Sequence, residues 1–235
     1  MFARCTRLAG PRLKLCLALA ASAPIASAQT PPAPAEQARY TGLHAVAQQG
    51  DAARIAALLA AGADPNSRDG NGRTPLHVAT FARQRDAIRS LAKGGADLGA
   101  LDNDRYDAVT IAAVADDEQT LALLLSLGAS AKLTTSRYDG TALIAAAHLG
   151  HDGVVRQLIA AGAPLDHVNI LHWTALIEAI VLGDGGPRHQ ATLKALLDAG
   201  ASVKLTDRQG QTPLQLARAR GYKDMVKMLE TAGAK

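Results

Sequence analysis

A Gly-Ala pair recurs along most of this chain at a nearly constant spacing, and that period constrains the possible folds more than any other feature. The pair stands at 62–63, 95–96, 128–129, 162–163, 200–201 and 233–234, which places successive glycines 33, 33, 34, 38 and 33 residues apart. A second marker agrees, because an aliphatic residue lies 19 positions before the glycine in these cases: Leu43, Leu76, Val109, Leu143 and Leu214. Two independent markers with one period predict an array of repeats, each a single supersecondary unit.

Residues 69–98 show what one unit contains. Residues 69–72 read Asp-Gly-Asn-Gly, which predicts a tight, hairpin-like finger. Thr74 can cap a helix, and the proline after it is tolerated at the first helical position. A second helix is predicted over 86–93, and Gly95 can take the left-handed conformation that ends it. Each helix pair leaves an apolar flank that only a neighbouring unit can cover, so the array should behave as one cooperative stack.

These residues resemble the ankyrin repeat. The resemblance is carried by Gly72-Arg73-Thr74-Pro75-Leu76-His77-Val78-Ala79 and by Gly62-Ala63-Asp64-Pro65-Asn66, and partial copies extend it over residues 40–235. It implies an all-α solenoid of about six stacked helix–turn–helix units with short hairpin-like fingers. The predicted repeats cover 40–68, 69–101, 102–135, 136–168, 169–206 and 207–235. The third departs most, since Asp107 replaces the threonine, Arg105 the turn glycine and Asp116-Asp117 the usual Gly-His.

The start of the chain predicts an export signal. Residues 1–28 combine a basic stretch, an apolar run over 15–21 and the small residues Ala26-Ser27-Ala28 before Gln29. The apolar run is too short to cross a bilayer, which takes about 20 residues, so an uncleaved anchor is the less favoured alternative. Both cysteines lie inside this segment, which predicts a mature chain without disulfides. The signal favours the bacterial periplasm, and the Pro/Ala-rich residues 29–39 predict a semi-extended tether with no packing pattern.

Composition and charge narrow the possible partners. Aromatic residues make up only 3% of the chain, so the core must consist mainly of small and aliphatic side chains, as in closely stacked helices. The formal net charge of +4 comes from the four basic residues of 1–28, and without them the basic and acidic residues balance. An even balance gives no electrostatic signature for nucleic acid, and we expect no membrane insertion after cleavage.

No pattern in the sequence indicates catalysis, and we predict no enzymatic activity, no cofactor and no metal site. His44 and His77 occupy the ankyrin position whose imidazole bonds to the finger backbone. His148 and His151 have metal-like spacing, but Gly150-His151 also fits the turn between two helices. The acids at 116–118 complement the dipole at a helix start. Residues 183–189 form a glycine-rich insertion that lacks the phosphate-loop Lys-Ser/Thr pair, which leaves either a neutral insertion or a partner contact.

The resemblance implies protein binding through the concave surface of the fingers and first helices. The candidate binding residues at the variable offsets of that surface are Tyr40, Arg73, Phe81, Tyr106, Tyr138, Ile170, Leu171 and Trp173. The alternative for the rings is packing against a neighbouring finger. The predicted function is a monomeric, non-catalytic protein-interaction module in the periplasm. An immunity or inhibitor protein, or an accessory protein for a periplasmic enzyme, is the alternative.

Overall fold

A computed structural model describes residues 29–235, so the predicted export signal at 1–28 lies outside the described residues. The helices are α1 (Pro34–Gln37), α2 (Gly42–Gln49), α3 (Ala52–Ala60), α4 (Pro75–Phe81), α5 (Arg85–Lys93), α6 (Ala108–Val114), α7 (Glu118–Ser126), α8 (Ala142–Leu149), α9 (Asp152–Ala160), α10 (Ala175–Val181), α11 (Pro187–Asp198), α12 (Pro213–Ala219) and α13 (Lys223–Thr231). Two short antiparallel strands, β1 (Thr134–Thr135) and β2 (Gly140–Thr141), flank the fourth finger. From α2 onward the helices form six consecutive pairs, which confirms the all-α repeat architecture.

In the last four repeats the first helix begins at a residue whose side chain caps it. Thr141, Thr174 and Thr212 accept a hydrogen bond from the backbone N–H three residues later, which satisfies a donor that the helix itself leaves free. In the third repeat Asp107 does the same for the N–H of Thr110, at 2.8 Å. The departure from threonine there therefore keeps the cap, although burial raises the pKa of the Asp107 carboxyl.

The second helix of each pair ends at the glycine that marks the period. In the second repeat Gly95 has a φ of +87°, a left-handed conformation that suits a residue without Cβ. The N–H of Gly95 donates to the Ala92 carbonyl at 3.1 Å, and the N–H of Ala96 donates to the Leu91 carbonyl at 3.0 Å. This pattern closes the helix end. Ala96 is itself buried, which explains why a small residue follows the glycine.

One hydrophobic core runs through all six pairs. The first helices pack side by side in chain order, and the second helices form a parallel row behind them. The aliphatic marker residues of the period lie between these rows, each no more than 5% exposed: Leu43, Leu76, Val109, Leu143 and Leu214. Every internal repeat therefore covers the apolar flank of the repeat on either side. The last helix, α13, buries Met225 and Leu229 and exposes Lys223 and Lys227, as an end cap should.

Residues 29–39 differ from the predicted tether, because they pack against the array. Pro34 begins α1, and the Glu36 carboxylate accepts a hydrogen bond from the Ala33 N–H at 2.7 Å, which stabilises the turn. The same carboxylate accepts from the Asn71 side chain at 2.6 Å and pairs with Arg73. A segment rich in proline and alanine thus makes specific contacts with the second finger.

The insertion in the fifth repeat also differs in form from the prediction. Only residues 182–186 are a loop, because Pro187 begins α11, which has 12 residues where the other second helices have nine. His189 Nε2 lies 3.0 Å from the His148 carbonyl in the fourth repeat, and the Tyr222 hydroxyl donates to the Gly183 carbonyl at 2.8 Å. The insertion therefore ties three repeats together. Between residues 29 and 235 no helix is long and apolar enough to cross a membrane.

Candidate functional site

The fingers stack on one another through their backbones. The Asn103 N–H donates to the Asn71 carbonyl at 3.0 Å, and the Ile170 N–H donates to the Tyr138 carbonyl at 3.0 Å. Within the fifth finger the Asn169 Oδ1 atom accepts from the N–H groups of Leu171 (2.9 Å) and Trp173 (3.0 Å), which tightens the turn. The fingers thus form one continuous surface whose side chains belong to consecutive repeats.

In the first two repeats this surface is occupied by the chain itself. Arg73, only 7% exposed, pairs with the Glu36 carboxylate at 3.3 Å and donates to the Thr30 carbonyl at 3.1 Å. Its guanidinium lies 5.9 Å from the centre of the Phe81 ring. The Tyr40 hydroxyl donates to Asp69 at 2.8 Å, and burial together with this bond raises the pKa of Tyr40 to about 12.

The third finger borders the occupied region. Tyr106 is half-buried, and burial raises the pKa of its hydroxyl. It lines a depression of about 320 Å³ together with Arg73, Phe81 and Thr30. The candidate binding residues of the first three repeats are therefore grouped where residues 29–37 pack.

The fourth and fifth fingers carry the exposed apolar residues. Ile170 is 48% exposed and Val168 43%, while Leu171, Trp173 and Tyr138 are half-buried. We call these five residues the apolar patch. Part of the Trp173 ring packs against the core, so this side chain supports its finger as well as contributing surface. Sequence reasoning missed Val168, although an aliphatic residue directly before the fifth finger was visible in the sequence.

Two further exposed leucines lie at the ends of the first helices in the same repeats. Leu149 is the last residue of α8 and is 40% exposed, and Leu182 directly follows α10 and is 38% exposed. Sequence reasoning missed both. The signal was available, because Ala82 and Ala115 stand at the equivalent positions of the second and third repeats. All large aliphatic side chains that are exposed within residues 29–235 belong to the fourth and fifth repeats.

A buried acid lies beneath the fifth finger, and sequence reasoning missed it too. Glu178 is 5% exposed, and its Oε1 atom accepts a hydrogen bond from the Asn169 side chain at 2.9 Å. Its Oε2 atom lies 3.3 Å from Nδ1 of His148. The signal was a glutamate at a position that is otherwise apolar, as in Val78 and Ile111.

Comparison with known proteins agrees with this architecture. Family models of ankyrin repeats match residues 43–135 and 109–207 in three-copy form and 187–230 in many-copy form. The chain belongs to the ankyrin-repeat family. Ankyrin repeat protein YahD of Escherichia coli K12 is 37% identical over 189 residues, which cover 80% of this chain and 94% of YahD.

Solved structures show the same ankyrin fold. A domain from Acinetobacter baumannii AYE superposes with a TM-score of 0.78 at 44% identity, over 82% of this chain and 98% of that one. A chain from the complex of a Bdellovibrio bacteriovorus predatory endopeptidase with an immunity protein gives a TM-score of 0.67 at 25% identity, over 82% and 98%. Ankyrin repeats are protein–protein interaction modules, and this chain shares that general role.

The histidines of the ankyrin motif serve the fingers, as predicted. His77 Nδ1 accepts from the Thr74 N–H at 3.0 Å, which leaves the proton on Nε2 to donate to the Tyr106 carbonyl at 3.0 Å. Burial lowers the pKa of His77, so the ring stays neutral. His44 contacts the Arg73 carbonyl in the same way, at 3.0 Å.

The two features with metal-like or acidic patterns have structural partners. His148 faces Glu178, whereas His151 Nδ1 lies 2.9 Å from the Ala113 carbonyl, so the two rings have separate partners. Asp117 caps α7 by accepting from the Thr120 N–H at 3.0 Å. Among residues 29–235 no group of three or more His, Asp or Glu side chains is arranged to hold a metal ion.

Proposed function

We propose that this chain is a non-catalytic ankyrin module that binds a protein partner through the apolar patch. The observation that carries the proposal is the exposure of Ile170 and Val168 beside half-buried Trp173, Leu171 and Tyr138 on two adjacent fingers. A finger has little of its own unit to pack against, and contiguous apolar surface with a large ring is typical of protein-binding sites. The surface of the first repeats is less suited, because Arg73 and Tyr40 already have partners within the chain.

Capture of a partner from a native extract tests the proposal. Truncating a buried tryptophan anchor costs about 2 kcal/mol or more, so Trp173→Ala should weaken capture on the order of thirtyfold. The double variant Ile170→Ser/Leu171→Ser should weaken it similarly while the helical circular dichroism spectrum stays nearly unchanged. Lys223→Ala on α13 is the control and should retain capture. A folded Trp173→Ala chain that captures the partner as well as the wild type would contradict the proposal.

The periplasm is the proposed location, and the pattern of residues 1–28 supports it. Intact-mass measurement of the chain recovered from the periplasm should show a protein that begins at Gln29. A periplasmic form that retains Cys5 and Cys16 would contradict both the cleavage and the cysteine-free mature chain.

An immunity or inhibitor role is the second candidate. It is supported by the structural likeness to a chain from the complex of the predatory endopeptidase with an immunity protein. The captured partner should then be an enzyme whose activity falls to near zero as this chain is added in equimolar amount. An enzyme that keeps or gains activity in the same titration would instead support an accessory role.

A further inference from the structure

Buried charges are costly, so each one in the fold requires a compensating partner. The buried charged residues between 29 and 235 are Arg73, Asp107, Asp117, Glu178 and Asp207. Asp107 and Asp117 cap helices, Asp207 accepts two backbone N–H groups in the sixth finger, and Arg73 has Glu36. Glu178 has neither a capping role nor a permanent cation.

The environment of Glu178 leaves its charge incompletely compensated. One oxygen accepts from the neutral Asn169 amide at 2.9 Å, and the other faces His148 at 3.3 Å. In the described part of the chain no Lys or Arg nitrogen lies within 4.0 Å of the carboxylate. Attraction between this acid and a cation would be stronger than in water, because the carboxylate is only 7% exposed. His148, which faces the second oxygen, is 24% exposed and is therefore nearer to solvent than the carboxylate.

The same amide places the acid under the apolar patch. Asn169 donates to Glu178 with its Nδ2 atom and accepts from the Trp173 and Leu171 N–H groups with its Oδ1 atom. The carboxylate therefore lies at the base of the finger that carries Ile170 and Trp173. The apolar patch therefore has a carboxylate beneath it.

The other half of the finger surface shows what such an arrangement can hold. There, residues 29–37 pack across the second finger, Pro32 is buried, and Glu36 pairs with Arg73 next to the Phe81 ring. A short segment is thus held by one ion pair beside an aromatic ring. On the fourth and fifth fingers the buried charge is negative, and Ile170 remains exposed.

We propose that the partner presents a segment with a Lys or Arg side chain that pairs with Glu178 beside Trp173. An adjacent apolar side chain of the same segment covers Ile170 and Leu171. This inference rests on the proposed function, since it specifies the chemistry of the partner at the same surface. It predicts that the partner is recognised by a basic residue next to an apolar one.

A random 12-residue peptide library displayed on phage, selected on the immobilised chain, tests the inference. Sequences retained by the wild type should be enriched in Lys or Arg beside apolar residues. Selection on Glu178→Gln should lose the basic enrichment and keep the apolar one, because glutamine retains the acceptor for Asn169 but carries no charge. Glu230→Gln, an exposed acid on α13 paired with Arg218, is the matched control and should leave the enrichment unchanged.

A single selected peptide then gives the quantitative test. Its affinity should fall about tenfold or more for Glu178→Gln, and by a similar factor when its basic residue is replaced by methionine on the wild-type chain. The two changes together should cost little more than either alone, because they remove the same interaction. Additive losses, or basic enrichment that survives in Glu178→Gln, would overturn the inference.

The outcomes also separate this inference from the proposed function. Peptides that depend on Trp173 but show no basic preference would overturn the pairing with Glu178 and leave the apolar patch as a binding surface. Peptides that bind Trp173→Ala as well as the wild type would count against the patch itself. If Glu178→Gln lowers the melting temperature of the chain, replacing the basic residue of the peptide by methionine still tests the pairing, because that experiment uses the wild-type chain.

Discussion

At the scale of single residues, one finger position has a left-handed backbone in five successive fingers, whatever residue stands there. The φ angles are +73° at Gly72, +65° at Arg105, +51° at Asp139, +63° at His172 and +75° at Gly210. The left-handed region costs a residue with a Cβ roughly 1–2 kcal/mol, and glycine avoids that cost. Three fingers therefore keep their turn although their sequence opposes it locally, because stacking against the neighbouring fingers imposes the conformation.

His172→Gly should accordingly raise the free energy of unfolding by about 0.5–1 kcal/mol, since relief of the strained φ exceeds the entropy that glycine adds to the unfolded chain. His172 is exposed, so little packing is lost. Gly210→His is the reciprocal variant and should lower stability, because space around Gly210 is open and only the backbone is strained. Urea denaturation measures both. Equal stability of the two variants would contradict the role of the turn conformation.

The neutral ring of His77 makes stability depend on pH. Burial lowers the pKa of His77 in the folded chain from its usual value of about 6.5. Below pH 6.5 the histidine is therefore protonated in the unfolded chain while it stays neutral in the folded chain. The free energy of unfolding should therefore keep its full value above pH 6.5 and decrease as the pH falls below it, by up to about 1.4 kcal/mol per pH unit. His77→Gln should reduce this slope, because glutamine does not titrate. Glutamine can accept the same hydrogen bond, since Gln215 accepts from the Thr212 N–H at 2.9 Å. Identical slopes between pH 7.5 and 5 would refute the assignment.

At the scale of elements, the short helix α1 stabilises the second finger through Glu36. Among residues 29–235, removing this carboxylate leaves the buried Arg73 with Asp69, at 3.8 Å, as its one acidic partner. Glu36→Ala should lower the free energy of unfolding by about 1–2 kcal/mol. Glu230→Ala removes an exposed Glu–Arg pair and should cost less than about 0.5 kcal/mol. If both variants lose the same stability in chemical denaturation, residues 29–37 do not contribute as the structure indicates.

The sequence predicted the repeated elements well and the irregular ones poorly. Helix pairs, caps and glycine ends follow from local spacing, so the 33-residue period located them. The packing of residues 29–37 and the path of 182–189 depend on contacts more than 30 residues away, such as Arg73 with Glu36 and Tyr222 with Gly183. The composition of these two segments does not predict such contacts. Glu178 stands at an otherwise apolar position, but its contact with His148 forms only when the fourth and fifth repeats stack.

At the scale of the whole molecule, stability should be shared between neighbouring repeats. Leu143 is fully buried in α8, which packs against both α6 and α10. Leu143→Ala should cost roughly 2–5 kcal/mol, and hydrogen exchange should accelerate in the third and fifth repeats as well as the fourth. Leu149→Ala, at 40% exposure on the same helix, should cost less than about 1 kcal/mol. Exchange that accelerates only within the fourth repeat would contradict a continuous stack.

The molecule also divides into two halves with different surfaces. Residues 29–37 occupy the fingers of the first repeats, whereas the fourth and fifth repeats expose Ile170, Val168, Leu149 and Leu182. A partner that binds the fingers should therefore contact the fourth and fifth repeats first.

Hydrogen–deuterium exchange on the complex with the captured partner tests that location most directly. We expect slower exchange in residues 136–141 and 168–173, which contain the fourth and fifth fingers, and no change in the second helices α5 and α7. Slower exchange confined to the second helices, or to the fingers of the first two repeats, would contradict binding at the fourth and fifth fingers.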